Sequence, residues 1–343
     1  MMFNMEAVLL VGGQGTRLRP LTETTPKPML PLAGIPFITH QILRARQAGA
    51  EHVVLATSYK AEMFREHFGG GRDLGITLTY AVEDEPLGTG GAVRNAAEHL
   101  RGDGPVVVLN GDVLGGLDLT AMVRSHRRQD ADLTLHLRRV PDPAAYGVVS
   151  TGPDGRVLAF AEKTDRPATD QVNAGTYVFS RPALFSIPAG RVVSLERETF
   201  PALIAEGRRV RSLRDDAYWL DIGTPAAYVR GNCDLVLGRA PSAALHGTPG
   251  ETLVMTGARV NGGATLSAGT VVGRRAEVGA GARLTGSVLF DDARIGAGAR
   301  LTGTAVGRGA TVGDGAVVEG VLLGDGAQVP PGSVLRAEAA AAG

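Results

Sequence analysis

Aliphatic side chains spaced six residues apart in the last third of the chain leave little freedom in what that part can become. Val260, Leu266, Val272, Val278 and Leu284 form one series. It resumes at Leu289, Ile295 and Leu301, then at Val306, Val312 and Val318, then at Leu323, Val329 and Leu335. Small or polar residues fill the gaps, as in Val278-Gly-Ala-Gly-Ala-Arg and Ile295-Gly-Ala-Gly-Ala-Arg. A period of six means one short strand and one turn per repeat. The aliphatic residue then points into a prism, and glycine permits the sharp corner. From Gly247 to Gly332 lie 21 of the chain's 48 glycines, and after Tyr228 the only aromatic is Phe290. A disordered Gly/Ala-rich tail is the competing reading, and regular aliphatic spacing argues against it.

This pattern resembles the left-handed parallel β-helix of hexapeptide-repeat proteins. The first two-thirds alternate strand and helix signals instead. Apolar runs Ala7–Val11, Val53–Ala56 and Val106–Leu109 read as buried parallel strands. Helical patterns lie between them at about Phe37–Ala48, Ala61–Phe68 and Ala92–Leu100. The fold class is therefore α/β: a Rossmann-like open mixed sheet with helices on both faces, followed by the β-helix. The expected domains are 1–240 and 250–336. Ligands in open α/β sheets sit beyond the C-terminal strand ends, so the loops there are the place to look for chemistry.

Bulk properties narrow the classes. The 343 residues carry 35 Lys plus Arg against 35 Asp plus Glu, so nothing points to nucleic acid or an acidic membrane as partner. No apolar run reaches membrane-spanning length. The N-terminus, Met1 to Glu6, leads straight into a strand-like run without the pattern of a signal peptide. One cysteine, Cys233, provides neither a disulfide framework nor a Cys cluster for metal. A cytoplasmic enzyme fits all of this. Only three of the basic residues are lysines: Lys27, Lys60 and Lys163. A compact ammonium can approach a phosphate as a point charge where a planar guanidinium does not fit.

The first strand runs into Gly12-Gly-Gln-Gly-Thr-Arg-Leu-Arg-Pro20. Backbone N–H groups of such a loop can wrap phosphate oxygens, Thr16 can donate a hydroxyl, and Arg17 can bind phosphate through its planar fork. Leu18 stands where a dinucleotide fingerprint needs its third glycine, and no Walker-type Gly-Lys-Ser/Thr is present. Taken alone, the loop could also be a tight structural turn. The longer string Gly12-Gly-Gln-Gly-Thr-Arg-Leu-Arg-Pro-Leu-Thr-Glu-Thr-Thr-Pro-Lys-Pro28 resembles the signature of sugar nucleotidyltransferases, also called nucleoside-diphosphate-sugar pyrophosphorylases. The resemblance runs in order along the chain and is nearest to the mannose-1-phosphate guanylyltransferases, which share the two-domain plan.

That resemblance implies a set of roles. Leu10, Gly12, Gly13, Gly15, Thr16, Glu83, Pro86, Gly88, Thr89 and Gly111 would bind the nucleotide. Arg17 would steady the β and γ phosphates, and Lys27 would bridge phosphates at the reacting centre. Gly147, Glu162, Lys163 and Asn173 would hold the sugar phosphate. Asp112 and Asp221 would share one Mg²⁺, or Mn²⁺ in its place.

The residues themselves are compatible with those roles. Joining a sugar-1-phosphate to the α-phosphorus of a nucleoside triphosphate (NTP) brings two anions together, so alignment and charge neutralisation are the protein's main tasks. No catalytic base is needed, because the attacking phosphate oxygen is already ionised. Asp112 follows a buried strand beside Gly111, where an aspartate can hold Mg²⁺ but can also cap a helix or turn. Asp221 follows Trp219, the only tryptophan, which argues for a packed location. Asp118 and Asp216 are nearby acids with no such support. Glu162-Lys163 alone would read as a surface pair, and Asn173-Ala-Gly175 as a turn. Ser194-Leu-Glu-Arg-Glu-Thr-Phe-Pro201 resembles the guanylyltransferase pattern and reads as chiefly structural.

The loop Glu83-Asp-Glu-Pro-Leu-Gly-Thr89 follows a strand at Ile76–Val82, and in the wider family a residue here reads the base edge. A carboxylate can accept both the N1–H and N2 donors of guanine and is repelled by the O4 of uracil or thymine, which favours GTP. Glu85 is a rival for that role. Mannose-1-phosphate is the expected second substrate, with another hexose- or cyclitol-1-phosphate (a valienol-1-phosphate-like precursor) as the alternative. Readings of other classes are a sugar-nucleotide-sensing subunit without catalysis and a hexapeptide acyltransferase. The latter usually needs a histidine in its repeats, and only His246 lies near them. Every matched motif precedes Tyr228, so the repeats are expected to serve homo-oligomer assembly, with chemistry intact without them.

Overall fold

The computed structural model describes residues 5–58, 60–245, 247 and 250–337. The first four residues of the N-terminal run and His246 lie outside them. The chain forms two compact units. One comprises residues 1–13 and 41–219, the other residues 14–40 and 220–343. The division therefore does not follow a single cut along the sequence. It crosses the chain inside the glycine loop, between His40 and Gln41, and within Trp219-Leu-Asp221.

The first unit is built on nine strands, numbered here β1 (Met5–Leu10), β2 (Ala50–Thr57), β3 (Thr77–Val82), β4 (Val106–Asn110), β5 (Leu133–Arg139), β6 (Gly147–Thr151), β7 (Val157–Glu162), β8 (Gln171–Phe179) and β9 (Val210–Arg214). The order across the sheet is β7-β6-β8-β4-β1-β2-β3, with β5 also on β8 and β9 on β5. β1 lies parallel between β2 and β4, and β8 is antiparallel to β4, so the sheet is mixed, as expected. Near-continuous apolar runs make the central strands. Ala7, Val8 and Leu9 of β1 and Val106, Val107 and Val108 of β4 have no solvent exposure, as parallel strands covered on both sides require. The helices expected between them are present: α1 (Phe37–Gln47), α2 (Ala61–Phe68) and α3 (Gly88–Ala97). Asp118 caps the helix α4 (Leu119–Arg128) by accepting the Ala121 N–H at 2.9 Å, which explains that aspartate without chemistry.

A buried charge pins the start of β1. Glu6 accepts from His52 Nδ1 at 2.6 Å, from the backbone N–H groups of Arg101 and Gly102, and from Arg181. Burial alone would raise its pKa. The hydrogen bonds from His52, the two N–H groups and Arg181 outweigh burial and pull it down to about 2.

The second unit carries the repeats. Fifteen short strands stack into three parallel sheets of five strands each, the architecture expected of the left-handed β-helix. Strand partners are 18 residues apart in the first coil, as in Leu253↔Val271, and 17 thereafter, as in Val271↔Val288 and Val288↔Ala305. The shorter coil explains why the aliphatic series restarts after five residues rather than six. At that corner Thr270, Ser287 and Thr304 are fully buried and stack. The Ser287 N–H donates to Thr270 Oγ1, and the Thr304 N–H to Ser287 Oγ, both at 3.3 Å. From Val272 to Val329 the aliphatic series is buried, but Val260, in the end coil, is 39% exposed. The gap-filling reading of the small residues needs correction. Ala276, Ala282, Ala293, Ala299, Ala310 and Ala316 are as buried as the aliphatics and share their core. Aspartates close the coils at the other two corners, Asp291 and Asp325 at one and Asp314 at the next. Asp291, Asp314 and Asp325 accept the N–H groups of Arg274, Ala297 and Arg308 at 2.8–2.9 Å.

Residues 14–40 are tied into this unit through the helix α5 (Pro225–Val236) and the chain after it. The Ala33 N–H donates to Asn232 Oδ1 at 2.8 Å, and the Tyr228 hydroxyl donates to the Pro31 carbonyl at 2.5 Å. His40 bonds Ser242 Oγ at 2.6 Å and the Leu32 carbonyl at 3.0 Å. Burial pushes the His40 pKa down to about 4, only partly offset by the Leu32 carbonyl.

Both of these perturbed groups contribute to the acid response. A histidine depressed to about 4 contributes stability above its ordinary value of 6.5 and loses it as pH falls toward 4. A carboxylate depressed to about 2 contributes stability above 4.5 and loses it as pH falls toward 2. Thermal melting from pH 7 to pH 3 is expected to show a steady fall in Tm. Glu6→Ala, which strands the Arg181 guanidinium, is expected to destabilise the fold by about 3 kcal/mol at pH 7 and to flatten the fall below pH 4.5. An unchanged pH profile in Glu6→Ala would contradict this assignment.

Candidate active site

In the first unit the expected nucleotide-side residues follow the C-terminal ends of β1, β3 and β4. Val11 N–H bonds the Ala56 carbonyl and Gly111 N–H the Leu10 carbonyl, at 3.0 and 2.9 Å, so the chain leaving β1 is held between those leaving β2 and β4. A Cβ on Gly111 would collide with the Leu10 carbonyl, so only glycine fits beside Asp112. Gly12 lies against Ser58, and Gly13 is exposed with φ +108°. Asp112 is half-buried at the turn after β4. Two residues before it, the Asn110 Oδ1 is buried with no hydrogen-bond partner.

The loop after β3 begins with the Glu83 N–H on the Thr57 carbonyl, at 2.9 Å. Glu83 is half-buried, and its Oε2 accepts the Leu87 N–H at 3.1 Å. Burial raises its pKa against that hydrogen bond. Its rival Glu85 is exposed, as is Pro86. Gly88 has φ +71° and no room for a side chain, because a Cβ would lie 2.6 Å from the Val193 carbonyl. Thr89 turns toward the protein. Its hydroxyl donates to Glu196 Oε2 at 2.7 Å and accepts the Leu195 N–H at 2.9 Å.

The sugar-side residues share one polar patch of the same unit. Gly147 and Glu162 are paired across β6 and β7. A Cβ on Gly147 would sit 2.6 Å from the Phe160 ring and 2.8 Å from Glu162 Oε2. Lys163 is exposed with φ +48°, and its N–H donates to the Tyr146 carbonyl. Asn173 lies at a bulge of β8, where its Nδ2 bonds the Tyr177 hydroxyl at 2.8 Å and its Oδ1 takes the Gly175 N–H at 3.1 Å. Trp219 Nε1 donates to the Ala174 carbonyl at 3.0 Å, which fixes the chain just before Asp221.

Glu196 is the residue that sequence reasoning passed over. A π-helical turn over Leu195–Thr199, capped by Ser194, holds it among Thr89 and Ser194. Burial raises the Glu162 pKa first, the charge of Glu196 raises it further, and Lys163 and Arg197 oppose them. Two carboxylates thus face one patch with Asn173 beside them. The Ser-Leu-Glu-Arg-Glu string was its only signal in the sequence.

In the second unit the glycine loop folds on itself. Gly15 adopts a left-handed conformation, φ +60°, and leads into a single 3₁₀ turn over Thr16–Leu18, with Thr16 and Arg17 exposed. Thr22 Oγ1 donates to the Gly15 carbonyl at 2.9 Å. A Cβ on Gly15 would lie 2.9 Å from Lys27 Cβ, so the stem of Lys27 rests on the glycine. Arg17 and Asp221 meet at Gly223. A Cβ there would be 2.9 Å from Arg17 Nη2 and 3.0 Å from Asp221 Oδ1. One unit therefore carries Asp112, Glu162, Asn173 and Glu196, and the other Gly15, Arg17, Lys27 and Asp221. Among the described residues no group of three or more His, Cys, Asp or Glu side chains is gathered as a metal site. Lone hard carboxylates still suit Mg²⁺, which takes one or two of them and completes its shell with substrate phosphates and water.

Residues 6–236 match the family model described as nucleotidyl transferase, and residues 248–340 that described as GMPPB C-terminal domain. The mannose-1-phosphate guanylyltransferase of Mycobacterium tuberculosis is 55% identical over 84% of this chain and 80% of its own length. The catalytic subunit beta of mannose-1-phosphate guanylyltransferase from Danio rerio is 38% identical over 67% of this chain and 64% of its own. Among solved structures, HddC from Yersinia pseudotuberculosis complexed with GMP-PN has a TM-score of 0.57 and 30% identity, covering 66% of this chain and 97% of that one.

The crowding at Gly147 gives a test of the sugar side. Gly147→Ala is expected to displace Phe160 and Glu162 and to raise the KM for sugar-1-phosphate about tenfold, the equivalent of one good hydrogen bond to a charged group. The KM for the nucleotide is expected to stay near its original value. Steady-state kinetics with each substrate varied in turn checks this, and an unchanged sugar-1-phosphate KM would refute it.

Proposed function

The chain belongs to the nucleotidyl transferase family, and on that premise we propose that it couples GTP to mannose-1-phosphate, giving GDP-mannose and pyrophosphate. The observation that carries the chemistry is the meeting of Arg17 and Asp221 at Gly223, with the Lys27 stem packed on Gly15 in the same loop. This puts two cations into the glycine loop that receives phosphate. The choice of guanine rests on Glu83, half-buried where the family reads the base. One of its oxygens is engaged by the loop, and a carboxylate edge suits the N1–H and N2 donors of guanine. The relatives named for mannose-1-phosphate guanylyl transfer support both substrates.

An oxygen of the sugar phosphate attacks the α-phosphorus. That O–P bond forms as the bond to the β-phosphate bridge breaks, and pyrophosphate leaves with the electron pair. Arg17 neutralises the departing β and γ phosphates through its fork, and Lys27 follows the charge that develops at the reacting phosphorus. Lys163 holds the attacking phosphate, while Glu162, Asn173 and the Gly147 backbone orient the sugar hydroxyls. Nucleotidyltransferases of this family generally use a divalent metal. Here it would be Mg²⁺, or Mn²⁺, held by Asp112 and Asp221 and supplying positive charge to the phosphates. No described helix is long and apolar enough to cross a membrane. A cytoplasmic homo-oligomer, assembled through the repeats and acting without nucleic acid, fits this reading.

Pyrophosphate release across all NTPs and a panel of sugar- and cyclitol-1-phosphates tests the proposal, with GTP and mannose-1-phosphate expected as the best pair. A different best pair would overturn the substrate assignment. Asp112→Asn and Asp221→Asn are each expected to cut turnover at least about a hundredfold at limiting Mg²⁺ while the protein stays folded. Lys27→Ala should lower turnover at saturating substrate, whereas Lys163→Ala should raise the KM for sugar-1-phosphate more than that for GTP. A Lys163→Ala enzyme weakened toward GTP alone would show the lysines to be misassigned.

A further inference from the structure

We propose that Asp325, at a corner of the last repeat coil, is a positioning residue for the phosphate loop and acts through Thr24. The inference rests on the reading of Arg17 and Lys27 given above. Gly15, Thr22 and Lys27 form one knot, closed by the Thr22 hydrogen bond to the Gly15 carbonyl and by the Lys27 stem on Gly15. The segment on either side of Thr22 touches the repeat stack at two points. Thr24 Oγ1 donates to Asp325 Oδ2 at 2.8 Å. The Pro20 ring lies on Gly324, where a Cβ would come within 3.0 Å of Pro20 Cβ and 3.1 Å of its Cγ. Adjoining residues of one corner thus grip the loop before and after Thr22.

The grip is firm on the stack side. Asp325 Oδ1 is already fixed by the Arg308 N–H at 2.8 Å, so the second oxygen is presented to Thr24 in one orientation. Asp314, at the next corner of the stack, makes the same kind of bond, accepting the Ala297 N–H at the same 2.8 Å. It stands at a corner other than the one that touches Pro20 and Thr24, which makes it an internal control. A glycine-rich loop has many conformations to lose, and a cation that must meet charge in the transition state is sensitive to displacements of an ångström or less. Fixing the loop before substrate arrives removes that loss from the catalytic step. This gives the stack a task in the chemistry, contrary to the expectation that the repeats serve assembly alone. The Thr24–Asp325 bond is exposed to solvent, so it contributes little to global stability and should be read in turnover rather than in Tm.

The test uses the full chain, pyrophosphate release and thermal melting. Thr24→Val and Asp325→Ala are each expected to lower turnover about three- to tenfold, with Tm within about 2 °C of the original and the sugar-1-phosphate KM unchanged. Thr24→Ser should restore turnover, and the double variant should lose no more than either single one. Asp314→Ala should leave turnover as it was. Normal turnover in both Thr24→Val and Asp325→Ala overturns the proposal, and so does an equal loss in Asp314→Ala, which would mean general damage to the coils. Lys27→Ala separates the two claims. If it turns over normally, the phosphate-loop reading fails. If it is impaired while Thr24→Val is normal, only the brace fails.

Discussion

Two hydrogen bonds, from the Ala33 N–H to Asn232 and from the Tyr228 hydroxyl to the Pro31 carbonyl, fasten the signature segment to α5. Asn232 and Tyr228 are buried, so leaving either group unpaired would carry the full penalty of a desolvated polar atom. The fastening explains why residues 14–40, which lie early in the sequence, share a compact unit with residues after 220. It also explains how Arg17 reaches Gly223 and Asp221, more than two hundred residues later. The helix itself is seated on the first coils. A Cβ on Gly269 would lie 2.7 Å from Cys233 Cα, so helix and stack touch backbone to backbone. The lone cysteine is therefore a packing residue, and burial pushes its thiol up to about 11.

Much of this was legible in the sequence, and the parts that were not share a cause. The coils were visible because each repeat must return one aliphatic side chain to the prism, and that requirement is local and periodic. The buried alanines were not visible, because an alanine that fills an interior and an alanine at a surface turn look alike as letters. The 17-residue coil depends on hydroxyls stacked from one turn to the next, a contact between Thr270 and Ser287 that no single repeat contains. The central strands were readable because burial on both faces writes an unbroken apolar run. The first coil, in contrast, exposes Val260 because it has a strand neighbour on one side only.

Site residues divide in the same way. Glycines at Gly147 and Gly111 are demanded by collisions that sequence cannot display, but the strings containing them were recognisable. Glu196 has neither period nor spacing to mark it. Its place depends on a π-helical turn and on a threonine 107 positions away. Thr89, expected on the nucleotide, bonds that glutamate through its hydroxyl, so the loop that begins at Glu83 and the turn that carries Glu196 are built together. The consequence is electrostatic. Glu162 feels a second carboxylate across the patch, which raises its pKa beyond the effect of burial. Such a pair favours a ligand rich in hydroxyl donors over one that brings further negative charge, and on the proposed mechanism Lys163 meets the phosphate.

The two cations of the glycine loop are chemically distinct for a steric reason. Only three of the chain's 35 lysines and arginines are lysines, yet Lys27 stands within the loop that Arg17 also serves. Lys27 has its Cβ 2.9 Å and its Cδ 3.7 Å from the position a Gly15 Cβ would take, so its stem needs the space that glycine leaves. A side chain held along its length in this way delivers a compact head to one place. An ammonium suits that delivery, since its three donors rotate to follow a changing phosphate geometry. Arg17 is exposed, with its planar fork beside Gly223, and a fork matches a terminal phosphate whose oxygens stay equivalent as it departs. On the proposed mechanism, a division of labour between the moving centre and the leaving group would follow from how much room each backbone position allows, and the missing side chains of Gly15 and Gly223 matter as much as the charges they accommodate.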